Sequence, residues 1–388
     1  MKVPLLDLAP QVNELRDELL QAMTDVMDSQ RFIMGSQVAG IESDVAAYCN
    51  TAHAIGVSSG SDALILALMA LDIGPGDGVI TTPYTFFATG GAIARLGATP
   101  IFCDIESATY NLCPNSVETL LRERAQRQGE VLVDPVHDVR IKAMIPVHLY
   151  GQTADMAALM SLAQEFSIPV IEDAAQAIGA ETAQGARAGS LGDIGCYSFF
   201  PSKNLGAFGD GGMCVTSDDD LAERMRVLRV HGGKPKYHHQ FIGGNFRLDT
   251  IHAAVLQVKL PHLDSWTQAR QTNAATYNAL FAGKLDNALL SLPQIVGGRH
   301  IYNQYVIRTP HRDALRAHLT EQGIGNEVYY PIPLHMQECF AYLGHQQGDF
   351  PESESAAKET VAIPIYPELT QEQQAYVAET VIDFLSAQ

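Results

Sequence analysis

The sequence is short of positive charge. Its 388 residues carry 25 Lys and Arg against 44 Asp and Glu, a formal net charge of −19. That balance disfavours nucleic acid and anionic membrane as general partners, because both require a basic surface. A local basic pocket for a small anion remains open. Cysteine is also sparse. Cys49, Cys103, Cys113, Cys196, Cys214 and Cys339 lie far apart, with no CxxC spacing. This argues against a disulfide framework or a zinc site, and predicts reduced, buried thiols of a cytosolic protein. No apolar run is long enough to span a bilayer, and the opening MKVPLLDLAPQ lacks the pattern of a secretory signal. No internal repeat is visible. The expectation is a cytoplasmic globular chain with no metal. Its length and its 46% hydrophobic content suit two domains, or one large core with a smaller lobe.

What is present is an alternation. Residues 13–29 and 38–48 have apolar side chains at helical spacing. Strand-like runs at 54–58, 78–82, 99–104, 143–148 and 169–172 then alternate with helical stretches at 62–71, 87–96, 114–128 and 155–166. The 62–71 stretch is apolar all round, hence buried. This rhythm predicts right-handed βαβ units, a mostly parallel sheet with helices on both faces, and a ligand site at the carboxyl ends of the strands. The segment 125–142 is polar and reads as a surface insertion. From about residue 260 the pattern becomes helix 265–281, strand 306–308, helix 312–322, an extended loop at 329–333 and a last helix 371–385. We place the division between a large domain, 1–259, and a smaller C-terminal α+β domain, 260–388.

Three stretches carry chemistry. At 196–212, CYSFFPSKNLGAFGDGG, the single lysine Lys203 sits among aromatic and Gly-rich neighbours. Partly apolar surroundings lower an amine's pKa and make it a nucleophile near neutral pH, which is what a Schiff-base lysine needs. Taken alone, such a lysine is far more often a solvated loop residue, and the two stretches upstream reverse that balance. At 57–64, VSSGSDAL, a strand gives way to a helix through small residues. That is an anion site built from free N–H groups and the Ser61 hydroxyl, or simply a helix cap. At 168–176, IPVIEDAAQ, a strand delivers Asp173 to its carboxyl end, where a buried carboxylate requires a cation or hydrogen-bond donors. Together these are a phosphate site, a partner for a pyridinium nitrogen and a Schiff-base amine, the parts of a pyridoxal-phosphate enzyme. TPYTFFAT offers an aromatic ring for stacking.

With SSGSDAL, TPYTFFAT, TYNL, PVHLYGQ, IEDAAQAIGA, SFFPSKNLGAFGDGG, GGNFRLDTIHAA and YYPIPLH in this order, the chain resembles the DegT-type nucleotide-sugar aminotransferases over nearly its whole length. These are fold-type I pyridoxal-phosphate enzymes. The resemblance implies that Lys203 bonds the cofactor aldehyde and that Asp173 pairs the ring nitrogen. It implies that Phe86 stacks on the ring and that Gln176 contacts the ring oxygen or face. Gly60, Ser61 and Ser198 match phosphate contacts. Asn245 matches one donated by the neighbouring subunit, which implies a homodimer with shared sites. The substrates implied are glutamate and a nucleotide-linked keto sugar.

The basic, aromatic stretch KPKYHH, with His238 and His239, and Arg247 further on, suits a pyrophosphate and a carboxylate, or a solvated loop. Tyr329 and Tyr330 complete the candidate substrate-binding set. YHH and NFRLD look most like relatives acting on UDP-linked 2-acetamido-3-keto hexoses. Ser61 stands where many relatives have threonine. Tyr329 stands where relatives acting on 3-keto uronates often have histidine. The rival readings are a 4-keto-6-deoxy sugar substrate, a sugar dehydratase of the same fold, in which another base replaces the lysine, and a non-catalytic regulator.

Overall fold

The computed structural model describes residues 1–388. Its strands are β1 (His53–Val57), β2 (Asp77–Thr81), β3 (Thr99–Phe102), β4 (Gln126–Gln128), β5 (Val131–Asp134), β6 (Val139–Met144), β7 (Ile171–Asp173), β8 (Ile194–Ser198), β9 (Gly212–Thr216), β10 (Tyr305–Arg308) and β11 (Thr360–Ile363). Two sheets, β1-β9-β8-β7 and β3-β2-β6-β5-β4, are joined by parallel bridges Met144–Val170 and Val147–Asp173. The central order is therefore β1-β9-β8-β7-β6-β2-β3. Within it only β9 runs against its neighbours. This is the mostly parallel α/β sheet expected.

Successive residues of a strand point to opposite faces, so one strand feeds two cores. Cys196 and Cys214 pack with the helix Gly60–Ala70, apolar from Ala63 onward, on one face. Tyr197, Met213 and Val215 pack with helices Ser36–Cys49 and Thr250–Lys259 on the other. A third cluster lies under helix Met156–Phe166.

Several boundaries differ from the sequence expectation. The first helix is two, Ala9–Glu14 and Arg16–Ser29. The helix expected over 114–128 ends at Arg124, its last turn a π turn, Leu120–Arg124. The 125–142 segment is more than a polar insertion. It folds as the antiparallel hairpin β4–β5, continued onto the start of β6. Its anchor is Asp134, fully buried, which accepts from Arg124 Nε and Nη2 at 2.7 and 2.6 Å and lies 2.6 Å from His137 Nδ1. Arg124 closes the helix, and the chain leaves it at Ala125 in extended conformation. The cysteines are free as expected, but Cys339 is exposed and Cys113 half-buried. No helix is long and apolar enough to cross a membrane.

The C-terminal lobe holds the antiparallel pair β10–β11 and helices Leu263–Phe281, Arg312–Glu321, Pro351–Glu359 and Gln371–Ser386. The start of the chain belongs to this core. Val3 is buried in it, takes a hydrogen bond from Gly325 N at 2.7 Å and donates to Gly323 O at 3.0 Å. Asp104 of the large lobe caps helix Pro351–Glu359, accepting from Glu352 N at 2.9 Å and Ser353 N at 3.0 Å. These contacts hold the small lobe against the carboxyl ends of the parallel strands.

Candidate active site

The carboxyl ends of β1, β8 and β7 open onto a cavity of about 410 Å³, with the start of β9 between β1 and β8. The β1 end turns directly into helix Gly60–Ala70. Ser59 caps that helix, its Oγ accepting from Asp62 N at 3.0 Å, so the cap is neither Ser61 nor Asp62. Asp62 N–H and Ala63 N–H are satisfied by Ser59. The amides of Gly60 and Ser61 have no intrahelical acceptor and, with the exposed Ser61 hydroxyl, form an anion cradle at the positive end of the helix dipole. Gly60 is required here. A Cβ on it would meet Ser198 Cβ at 2.7 Å, so β8 and the helix start can lie this close only with glycine.

The adjacent carboxylates at the end of β7 part company, as strand alternation demands. Glu172 turns away from the cavity into a closed network. It accepts from Gly189 N at 2.8 Å and from Leu191 N and Gly192 N at 2.7 Å each. His148 Nδ1 accepts from Ala154 N at 3.1 Å, so its other nitrogen, Nε2, donates to Glu172 Oε2 at 2.7 Å. Glu172 is therefore structural. Asp173 faces the cavity, accepting from Thr89 Oγ1 at 2.8 Å and Ala175 N at 3.3 Å. Burial pushes its carboxyl above the usual carboxylate range, against the pull of those donors and of the Lys203 ammonium. A cation placed beside it would be strongly favoured.

Lys203 lines the same cavity. Burial lowers its ammonium to about 8, with Asp173 pulling the other way. Gln176 is locked at both ends. Its Oε1 accepts from Tyr150 N at 2.8 Å and its Nε2 donates to Tyr330 OH at 2.9 Å. The orientation of the amide is thus fixed, with one N–H left over. Tyr150 holds this position from a left-handed backbone conformation, φ +59°, uncommon for a bulky residue and a mark of functional sites. Tyr330 is buried, stacked on Tyr150 at 6.1 Å and edge-on to Tyr84 at 5.4 Å. Phe86, 62% exposed, stands on the cavity wall at the start of helix Phe87–Arg95.

Gly60, Ser61, Phe86, Asp173, Gln176, Ser198, Lys203, Tyr329 and Tyr330 therefore line one cavity. Asn245, His238, His239 and Arg247 do not line it. Asn245, His238 and His239 are exposed. Tyr237 before them is 80% exposed, Lys234 pairs with Glu223, and His239 Nδ1 sits 2.9 Å from His231 O. Arg247 bridges backbone to backbone with Val57, beside the anion cradle. Thr89, Ser202, Asp210 and Gln304 were not singled out in the sequence. Thr89 follows Phe86 by one helical turn, a spacing that could have found it. Gln304 enters from the small lobe with no local signal.

The residues present fit pyridoxal phosphate. An N–H cradle with room only for glycine suits a phosphate. A buried carboxylate lacking a full cationic partner suits a pyridinium, and a buried lysine with a lowered pKa suits the aldehyde.

Comparison with known proteins agrees. Residues 13–382 match the DegT/DnrJ/EryC1/StrS aminotransferase family. The chain is 50% identical to a pleiotropic regulatory protein of Geobacillus stearothermophilus, covering 99% of each. It is 42% identical to a UDP-N-acetyl-3-dehydro-alpha-D-glucosamine 3-aminotransferase of Acidithiobacillus ferrooxidans, covering 98% of this chain and 97% of that protein. It is 41% identical to a dTDP-3-amino-3,4,6-trideoxy-alpha-D-glucose transaminase of Streptomyces venezuelae, covering 98% of this chain and 95% of that protein. Among solved structures, DesV of S. venezuelae in complex with a ketimine intermediate superposes with a TM-score of 0.91 at 40% identity, covering 99% of this chain and 98% of that one. The chain belongs to the DegT/DnrJ/EryC1/StrS aminotransferase family, and its cofactor is pyridoxal phosphate.

Proposed function

We propose that this chain moves the amino group of glutamate onto a nucleotide-linked keto sugar, a UDP-linked 2-acetamido-3-keto hexose or its uronate, in cytoplasmic amino-sugar and polysaccharide biosynthesis. The carrying observation is Lys203, its ammonium lowered to about 8 by burial, in one cavity with Asp173 and the Gly60–Ser61 cradle. When bound, the cofactor supplies an aldehyde that accepts the amino group and a ring that takes up electrons. The chain's own residues do the rest. The Gly60 and Ser61 amides and the Ser61 and Ser198 hydroxyls hold the phosphate. Asp173 keeps a proton on the ring nitrogen, Phe86 covers the ring, and Gln176 directs its spare N–H to the ring oxygen. Lys203 Nζ would hold the aldehyde at rest and, when free of it, would move the proton from the substrate's Cα to the former aldehyde carbon, the shift that transamination requires.

The UDP assignment is supported by the A. ferrooxidans relative and by the KPKYHH loop. A dTDP-linked sugar is supported about equally by the S. venezuelae relative. Against the uronate stands Tyr329. A purely regulatory role, the sense of the G. stearothermophilus name, leaves the low-pKa lysine without a purpose.

Because Asn245, His238 and His239 are exposed and lie outside their own chain's cavity, we assign them to the partner's site in a homodimer. Assaying glutamate with UDP-linked 3-keto and dTDP-linked keto sugars tests the substrate. The UDP-3-keto sugar should be aminated fastest, and a cofactor spectrum that glutamate leaves unchanged would remove glutamate as the amino donor. Mixing inactive Lys203→Ala and Asn245→Asp chains tests the sharing. One site of each hybrid takes both defects and the other takes neither, so activity should return toward about a quarter of wild type. No recovery after subunit exchange would return Asn245 to its own chain.

Gly60→Ala should weaken the cofactor specifically. The added methyl must push Ser198 away from the cradle, and overpacking of this kind costs about 1–3 kcal/mol. Titration of the cofactor absorbance should show roughly ten- to hundredfold poorer affinity, with a smaller change in turnover at saturating cofactor. Unaltered affinity would mean that the cradle is not the phosphate site.

A further inference from the structure

Lys259 has no part in the chemistry above, yet its placement is unusual. It ends helix Thr250–Lys259 and is 4% exposed. No carboxylate contributes to its environment, and burial alone lowers its ammonium to about 8. Its Nζ lies 5.8 Å from the Phe208 ring and 6.0 Å from that of Trp266. It donates to Gly206 O at 2.6 Å. A buried cation without an anion burdens the folded state, whereas a methionine of similar shape would not. Completing the negative end of the helix dipole offsets part of that burden, but it does not require contact with Gly206.

Gly206 belongs to the loop that carries Lys203. The loop is closed at its neck by Ala207 N donating to Phe199 O at 2.8 Å, and turned at Lys203 N to Phe200 O at 2.9 Å. Its far side is tied to the small-lobe approach by Asn204 Nδ2 to Ile301 O at 3.1 Å. Lys259 supplies the remaining anchor, from beneath, through a charge-assisted hydrogen bond.

We infer that Lys259 is a positioning residue for Lys203: its ammonium fixes the Gly206 carbonyl and so the turn that aims Lys203 Nζ into the cavity. The inference rests on Lys203 being the cofactor-bearing lysine. Near-attack geometry is sensitive on the ångström scale, so a loosened turn should be read in chemistry more than in substrate binding.

The test compares the wild-type, Lys259→Met and Lys259→Arg holoenzymes. In Lys259→Met, hydrogen exchange of residues 199–207, followed by mass spectrometry, should speed up about tenfold, while helix Gly60–Ala70 stays protected. kcat should fall about ten- to hundredfold with KM for glutamate within about twofold. Lys259→Arg keeps a cationic donor and should recover most of kcat. If Lys259→Met does not fold, Lys259→Gln, a neutral donor, is read the same way, with an intermediate effect expected. A lowered melting temperature alone, with exchange of 199–207 and kcat at wild-type values, would overturn the inference and leave Lys259 a helix-end residue. A wild-type cofactor band that survives Lys203→Ala would instead overturn the reading of Lys203, and this inference with it.

Discussion

Lys203→Ala lowers transamination by at least about ten-thousandfold, the scale seen when a covalent catalytic group is removed. Borohydride reduction of the wild-type holoenzyme followed by peptide mapping should place the cofactor on Lys203. Label on any other lysine would end the assignment. The folded state should tolerate the change. Burial lowers the Lys203 ammonium from 10.5 to about 8, so the charged form is disfavoured in the native chain relative to the unfolded one. The alanine variant, compared with wild type as cofactor-free protein, should therefore be no less stable below about pH 8. Its relative advantage should shrink as pH rises toward 10.5, where both states of the wild type hold a neutral amine. The same shift sets a kinetic expectation. The rate at which cofactor-free protein captures the cofactor aldehyde should climb with pH and level off above about 8, where an exposed lysine would keep climbing to about 10.4. A capture rate still rising at pH 10 would show that Lys203 is not buried as described.

The parts of the site that were legible in the sequence are those whose chemistry and backbone sit together. VSSGSDAL shows a strand, a small-residue turn and an apolar helix within eight letters, and the cradle is a property of that backbone. Asp173 and Lys203 were legible because strand ends and Gly-rich turns announce themselves locally. The antiparallel strand β9 was hidden. Residues 212–216 follow the Lys203 loop so closely that the glycines masked a fully buried strand. The hairpin β4–β5 was hidden for another reason. Its first strand, QRQ, is polar and exposed, its second, VLVD, is short, and besides Leu132 in the core it is held by a buried carboxylate, Asp134, whose partners Arg124 and His137 lie on either side in sequence.

Contacts between lobes left no trace in periodicity at all. Asp104 capping a helix that begins at Pro351, Gln304 entering the cavity and Val3 bonding beside Gly323 each join residues far apart in the chain. They depend on the packed arrangement rather than on any local pattern. The division of Glu172 from Asp173 lies between these cases. Alternation dictates that the two point to opposite faces, but only the positions of Thr89 and of the 189–192 amides show which one is satisfied by the protein and which one waits on a ligand.

That difference underlies the last expectation. Asp173→Asn should lower turnover by about a hundred- to a thousandfold, the scale for losing one preorganised electrostatic group, while cofactor affinity falls about tenfold or less. The substitution preserves shape. Thr89 Oγ1 is 3.1 Å from Thr85 Oγ1 and 2.8 Å from Asp173, so its hydroxyl can turn to Thr85 and accept from the new amide, and the Ala175 N–H keeps an oxygen to bond. What disappears is the negative charge that holds a proton on the ring nitrogen. Stability should move the other way. Burial raises the Asp173 carboxyl above its unfolded value, so in the cofactor-free chain the ionised form weighs against folding at neutral pH, and not in acid where the carboxyl is protonated in both states. Cofactor-free Asp173→Asn should therefore be at least as stable as wild type at pH 7 in urea unfolding, with the gap closing as pH falls toward the unfolded carboxylate range. Near-normal turnover would remove Asp173 from the chemistry. A variant less stable than wild type at pH 7, with the deficit vanishing in acid, would show that the carboxylate is already paired within the protein and does not depend on the cofactor for its partner.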